Sequence, residues 1–353
     1  MHFKVITFGC KLNQAESDQI SADLISRGHS LSNNPNLIII NACAVTYKAV
    51  REVRQKVAQL KRKFPRAKVK VIGCLEQGRK KFPLKNPIAI TPARTRALIE
   101  IQDGCNNFCA YCIVPFMRGK PKSIPANKII QQINQLKDFK EIVLTGVNIG
   151  LYKNGLDNLL KKILKQTNIP RIRLGSLWPT HINNKLINLY SKNSRLCPHF
   201  HLSIQSGSNK ILKSMGRNYK TARIKHITQQ CRAKIKNINF TCDIIVGFPG
   251  ETDKDFQKSC QLIKDIGFSK VHVFRYSKRP RTKAEKMPDQ IPEETKQARS
   301  QQLIRIKPTM PTKKLPILWE DKKHGYWYGF TTNYIRVKRK VKKEENLKNT
   351  ITS

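Results

Sequence analysis

Residues 1–75 repeat one alternation of apolar and mixed stretches. Phe3-Lys4-Val5-Ile6-Thr7-Phe8 reads as a strand and ends at Gly9-Cys10. Asn36 to Ile40 reads as a second strand, running into Asn41-Ala42-Cys43, and Lys68 to Ile72 as a third, ending at Gly73-Cys74. Between them Glu16 to Arg27, closed by Gly28, and Thr46 to Phe64, closed by Pro65, have helical character. This βαβαβ order predicts a parallel sheet, whose ligand sites lie beyond the carboxyl ends of its strands. Three cysteines, almost evenly spaced in the chain, fall at that edge.

Pro83, Pro87 and Pro92 interrupt the pattern and mark a boundary. Strand-like runs then recur at Ala97–Ile101, Glu141–Thr145, Arg171–Gly175, His199–Ile204, Cys242–Val246 and Lys270–Phe274, with helical segments such as Ala126–Lys137 and Thr252–Asp265 among them. Six β/α repeats predict an open, partial β/α barrel, which gathers its chemistry at the strand C-termini. Beyond Pro311, Ile317–Glu320, Tyr326–Phe330 and Tyr334–Val341 read as short antiparallel strands followed by a polar tail. The expected α/β architecture is therefore an N-terminal parallel-sheet domain over residues 1–92, a central partial (β/α)6 barrel over 93–311 and a small β domain over 312–353.

Charge adds a partner to this picture. Sixty-eight Lys and Arg against 23 Asp and Glu give a net charge of +45. With acids so scarce the repulsion is not relieved within the chain, and a polyanion, nucleic acid above all, is the physical answer. No secretory pattern opens the chain and no apolar run reaches the ~18 residues of a membrane span, so a cytoplasmic protein with no membrane partner is expected. Ten cysteines there are reduced thiols, which points to metal or redox chemistry rather than disulfides.

The densest motif is Gly104-Cys105-Asn106-Asn107-Phe108-Cys109-Ala110-Tyr111-Cys112, directly after the first barrel strand. Three thiolates on one short loop hold three irons of a cubane cluster and leave the fourth open to a chelating small molecule. Zinc is the alternative, but zinc sites pair such a knuckle with a second one or with a His pair, and the sequence offers neither nearby.

The C-x3-C-x2-C loop with Tyr111 before its last cysteine resembles the radical S-adenosylmethionine superfamily. The resemblance narrows on Gly9-Cys10-Lys11-Leu12-Asn13, Asn41-Ala42-Cys43-Ala44-Val45-Thr46 and Gly73-Cys74, which are similar to the three cysteine motifs of methylthiotransferases. Ile101-Gln102-Asp103-Gly104-Cys105, Leu144-Thr145-Gly146, Gln205-Ser206-Gly207-Ser208 and the block from Asp243 to Thr252 match the same family. Within it the chain looks most like the threonylcarbamoyladenosine tRNA methylthiotransferases. The sibling group acts on isopentenyladenosine in tRNA.

The resemblance implies that Cys105, Cys109 and Cys112 hold a radical-generating 4Fe-4S cluster, and that Cys10, Cys43 and Cys74 hold a second 4Fe-4S cluster concerned with sulfur delivery. It implies that S-adenosylmethionine supplies both a methyl group and the radical that activates C2 of the modified adenosine beside the anticodon. Tyr111, Gly146, Gln205 and Ser206 fall where the superfamily meets that cofactor; ordinary turn chemistry is the competing account of the last three. The partners implied are tRNA, an electron donor and a sulfur source.

Cys197, Cys231, Cys242 and Cys260 read as buried, inert thiols, and His199 and His201 as packing or edge residues. Arg336, Lys338, Arg339, Lys340, Lys342 and Lys343 beside Trp327, Tyr328 and Tyr334 suit phosphate contact with base stacking, and the resemblance makes this an RNA-binding β domain. A noncatalytic, zinc-stabilised RNA-binding protein is the rival from another functional class.

Overall fold

The computed structural model describes residues 1–75, 78–83, 95–309, 315–341 and 346–352. Pro87, Pro92, Lys342, Lys343 and the domain boundaries expected at 92 and 311 lie outside them.

In the N-terminal region β1 (His2–Thr7), β2 (Ser30–Leu31), β3 (Leu37–Ala42), β4 (Lys68–Leu75) and β5 (Gly78–Lys80) form one sheet in the order β2-β1-β3-β4-β5, parallel except for the β4–β5 hairpin. Ile38, Ile39 and Ile40 in central β3 are fully buried, as an unbroken apolar run requires of a strand covered on both faces. Helix α2 (Tyr47–Lys63) buries Val53 and Leu60 and is capped by Thr46, whose Oγ1 accepts from Ala49 N at 3.2 Å.

Two details depart from expectation. Helix α1 (Lys11–Ser26) begins directly after Cys10, five residues before the expected start at Glu16. Its first two turns read as polar because Asn13 and Ser17 are buried in hydrogen bonds rather than in grease. Cys74 lies inside β4 rather than beyond it, since the β5 partner extends the strand by two residues past Gly73.

The central region contains β6 (Arg96–Asp103), β7 (Lys122–Ser123), β8 (Glu141–Gly146), β9 (Arg171–Leu174), β10 (Ser176–Leu177), β11 (His199–Gln205), β12 (Asn239–Val246) and β13 (Lys270–Arg275). They form two sheets, β7-β6-β8-β9 and β10-β11-β12-β13, parallel throughout except for β7. The third expected strand, Arg171–Gly175, is β9, and β10 follows directly beyond Gly175. The first pairs with β8 and the second with β11, which curls the strands in chain order as the six-repeat reading anticipates. Helices α3 (Val114–Arg118), α4 (Ala126–Asn134), α5 (Leu156–Gln166), α6 (Asn184–Lys192), α7 (Asn209–Ser214), α8 (Thr221–Lys234), α9 (Asp253–Ile266) and α10 (Glu293–Ile304) complete this region. The largest core, from Ala97 to Leu303, lies between the outer strand faces and these helices. The inner face of β6 and β8 instead meets α1, through a small cluster of Ala15, Leu98 and Val143.

The C-terminal region is antiparallel: β14 (Ile317–Lys323), β15 (Tyr326–Thr331), β16 (Arg336–Lys340) and β17 (Ile351–Thr352) in the order β16-β15-β14-β17. The expected polar tail thus contains a strand, held by Trp319 Nε1 donating to Thr352 Oγ1 at 2.9 Å. Trp327 belongs to this domain's core with Trp319 and Leu347, so it is not a surface for base stacking.

This domain seals the N-terminal end of the barrel. Asn239 Nδ2 donates to Asn333 O at 2.8 Å, Arg171 Nη2 to Pro316 O at 2.8 Å, and Arg96 pairs with Glu320. Tyr334, at a left-handed φ of 69°, stacks on Phe330 beneath the guanidiniums of Arg96 and Arg173. Burial pushes its phenol up, but Lys11, Arg96 and Arg173 outweigh burial and leave it below the ordinary tyrosine value. Tyr334 is therefore engaged inside the protein rather than displayed to RNA.

Candidate active site

The first cysteine triad is organised by two asparagines. Asn13 Nδ2 donates to Asn41 Oδ1 at 3.0 Å and to Ala42 O at 3.2 Å, and Asn41 Nδ2 returns a bond to Asn13 O at 2.8 Å. This pair locks the start of α1 to the end of β3. Cys10 Sγ donates to Asn13 Oδ1 at 3.3 Å. A Cβ on Gly9 would come within 2.7 Å of Cys43 Cβ, so the chain before Cys10 passes close to the second thiol. Burial pushes the Cys43 thiol up to about 11, with Cys10 and Cys74 adding to the effect. The three thiols share one electrostatic neighbourhood, as expected from their strand ends.

The second triad follows β6. Gly104 needs its positive φ of 74° because the carbonyls of Gly119 and Lys120 occupy the space a Cβ would take. Cys105 N donates to Gly119 O, Cys112 N to Cys109 O and Ala110 N to Met215 O, each at 2.9 Å, fixing the loop. Burial and then Cys109 push Cys112 up to about 12, while Cys105 contributes to the same rise. Asn148, missed in sequence, directs Nδ2 toward Cys105 Sγ at 4.0 Å.

Tyr111 lies edge-on to Phe248 and accepts a 2.7 Å bond from Arg217 Nη2; that guanidinium also covers the Trp178 ring at 3.8 Å. Arg217 is buried, and among the described residues its Nε and Nη1 have no hydrogen-bond partner. Gly146 admits no side chain, since a Cβ would lie 2.5 Å from Gln102 O. Gln205 ends β11 at a φ of 68° and lines a small cavity with Tyr111 and Cys112. Ser206 is fully buried and its Oγ accepts from Ser208 N at 3.1 Å, which is turn chemistry. Tyr111, Gln205 and the second triad come together, whereas Gly146 lines a neighbouring, larger cavity that also reaches Cys10.

Arg118 joins the two triads. Its Nε donates to Cys74 Sγ and its Nη1 to both Glu16 and Asp103, while Asp103 Oδ1 also accepts from Gly104 N. Nothing in the local sequence flags Arg118, whose partners are remote in the chain.

Among the described residues no three His, Cys, Asp or Glu side chains converge as the ligands of one metal ion do. A multi-iron cluster takes its thiolates on separate metal atoms and does not need that convergence. Burial opposes ionisation of Cys43, Cys74, Cys109 and Cys112, which a bound cationic cluster would favour, and a set of three thiols is a donor set that fits an iron–sulfur cluster. All ten cysteines are free thiols. Cys197 and Cys231, pushed up to about 12 by burial, and the deeply buried Cys242 stand away from both triads.

Residues 99–263 match the radical SAM superfamily model, and residues 2–90 match an uncharacterized protein family, UPF0004. The chain is 34% identical over 346 residues to a threonylcarbamoyladenosine tRNA methylthiotransferase of Thermotoga maritima, covering 84% of this chain and 79% of that one. It is 36% identical over 342 residues to the enzyme of the same name from Chlamydia pneumoniae, covering 86% and 81%. The chain belongs to the tRNA methylthiotransferase family of radical S-adenosylmethionine enzymes. A tRNA-2-methylthio-N(6)-dimethylallyladenosine synthase of Carboxydothermus hydrogenoformans is 33% identical over 364 residues, covering 86% and 82%.

Among solved structures, the methyltransferase TsrM of Kitasatospora setae superposes with a TM-score of 0.60 at 13% identity, over 80% of this methylthiotransferase and 75% of that chain. OxsB gives 0.52 at 11%, over 86% and 55%. These likenesses concern the fold. Family membership makes the methylthiotransferase an enzyme and displaces the rival reading of a noncatalytic zinc-stabilised protein. Among its described residues no helix is long and apolar enough to cross a membrane.

Proposed function

We propose that this enzyme methylthiolates C2 of N6-threonylcarbamoyladenosine next to the anticodon of tRNA, in the cytoplasm, using two 4Fe-4S clusters. Cys105, Cys109 and Cys112 hold one cluster and Cys10, Cys43 and Cys74 the other. Tyr111, Gly146 and Gln205 frame S-adenosylmethionine, with Ser206 holding the turn behind Gln205 rather than touching the cofactor. When bound, these groups supply the radical chemistry that an unactivated C–H bond demands, together with the methyl group. An electron donor and a sulfur source serve the reaction from outside. Residues 1–92, 93–311 and 312–353 act as its sulfur-carrying, radical-generating and RNA-binding parts.

The observation that carries this reading is a single cavity of about 580 Å3 lined by both Cys10, from the first triad, and Gly146, at the strand end beside the second. A nucleobase lodged there faces both halves of the chemistry. The volume falls in the range of about 300–1,000 Å3 usual for small-ligand sites. The chain's own residues bind and orient: buried inner-strand groups such as His199 and Thr241, joined at 2.9 Å, keep the walls rigid.

Threonylcarbamoyl rather than isopentenyl is supported by the cations on the cavity wall, Lys11, Lys270 and Arg336. A carboxylate gains a counter-charge from them, whereas an apolar tail gains none. The test is nucleoside mass spectrometry after incubation with tRNAs bearing each modification separately. A 2-methylthio product from the threonylcarbamoyl substrate is expected; product from the isopentenyl substrate alone moves the enzyme to the sibling specificity.

A further inference from the structure

The cavity between Cys10 and the C-terminal domain holds charges of unequal status. Asp243, on its wall, is engaged by His201 Nε2 at 2.9 Å and Ser203 Oγ at 3.4 Å. Glu320 is held by Arg96, and Asp321 by Lys323 at 3.2 Å. The carboxylates of the lining are thus already matched with donors of the protein. Lys11 is not. Among the described residues it forms no ion pair, and its ammonium lies 5.5 Å from the centre of the Tyr334 ring.

Lys11 is exposed on the cavity wall, and the Tyr334 ring that its ammonium approaches also lies under the guanidiniums of Arg96 and Arg173. An ammonium held among guanidiniums is stabilised by any anion that arrives beside it. Lys270 and His272 also line the cavity, but His272 is turned edge-on to His201, which is already bound to Asp243.

Resting on the function proposed above, we infer that Lys11 is the specificity-determining residue for the substrate's side group, its ammonium pairing with the threonyl carboxylate inside this cavity. Lys11 directly follows Cys10, so the same turn of chain that presents a thiol of the first triad also grips the group attached to the reacting base. Recognition of the carboxylate and placement of the base beside Cys10 are then one event. An isopentenyl group offers Lys11 no counter-charge.

The experiment measures binding to the cluster-loaded full chain of fluorescent anticodon stem-loops carrying N6-threonylcarbamoyladenosine, either as the free acid or as its methyl ester. Wild type should bind the acid more tightly, and Lys11→Gln should cut the acid-to-ester affinity ratio by about tenfold or more. Lys11→Arg should restore much of the ratio, and both variants should keep the wild-type iron content and melting temperature. A Lys11→Gln protein with the wild-type ratio overturns the inference, and so does a wild type that binds acid and ester alike. The substrate assignment fails separately, through absence of 2-methylthio product from the threonylcarbamoyl tRNA in mass spectrometry.

Discussion

Arg118 Nε donates to Cys74 Sγ at 3.0 Å, while its Nη1 holds Glu16 at 3.0 Å and Asp103 at 2.9 Å. A guanidinium at the end of α3 thus touches a thiol of the N-terminal sheet. It is the polar seam between two regions that the sequence presents as separate.

Arg118→Ala takes the shared cation away from two largely buried carboxylates and should cost about 3–5 kcal/mol, read from urea unfolding. Arg118→Lys keeps a charge but loses the fork that serves three partners at once. It should fold while retaining less iron after anaerobic reconstitution. Wild-type stability and iron in both variants would show that the seam carries no load.

The two triads should separate in metal and turnover. Two 4Fe-4S clusters imply about eight irons per chain, and Cys43→Ala should remove roughly half of them. Cys109→Ala should abolish reductive cleavage of S-adenosylmethionine. Cys74→Ala should still cleave it without coupling while making no thiolated product. If the Cys109 and Cys74 variants cleave the cofactor equally well, the roles are misassigned.

On β16 the side chains of Arg336, Lys338 and Lys340 are exposed and alternate with less exposed neighbours, which gives one cationic face. Arg336 lies 4.8 Å from the Tyr328 ring and Lys338 5.0 Å from Tyr326. Changing all three cations to Gln should weaken tRNA binding and reduce the slope of log affinity against log salt by about 0.7–0.9 for each lost phosphate contact. Substitution is the sharper test than truncation here, because a cut before Arg336 also removes the strand that completes the sheet at Ile351–Thr352. An identical slope would assign the phosphate contacts to another face.

Asp255 lies at the start of α9 and accepts from Ser208 Oγ at 2.7 Å and Thr252 Oγ1 at 2.8 Å. Burial alone would raise its pKa, but these bonds outweigh it and hold the carboxyl at about 2, below the ordinary 3.8. A depressed carboxyl stabilises the fold above its unfolded pKa, and the contribution fades as pH falls toward about 2. Asp255→Asn should therefore unfold at lower urea than wild type at neutral pH, with the gap narrowing as the pH drops below about 4. A gap that does not change with pH would remove the charge from this account.

Much of this arrangement is legible in the chain because each β/α repeat signals itself locally. The run through Ile38 to Ile40, the caps at Thr46 and Thr252 and the cysteines at the strand ends all follow from period and punctuation. What stays hidden depends on distant partners. Helix α1 starts early because Ala15 meets Leu98 and Val143 across domains. Arg217 finds Tyr111 from 106 positions away, and no local pattern announces it. Trp327 and Tyr334 look like stacking platforms in sequence, yet one fills a core and the other plugs the foot of the barrel, since an aromatic ring serves burial and recognition equally well. The change of partner across Gly175 is invisible for a related reason: only the two different neighbours, β8 and β11, reveal it.

Because α1 runs straight on from Cys10 and lodges Ala15 against the inner wall of the barrel, the distance from that thiol to the barrel is set by a rigid rod. Tethers of different length in related chains would therefore leave the thiol where it is, whereas a single residue inserted between Cys10 and Ala15 would turn it by about 100° and lift it by about 1.5 Å.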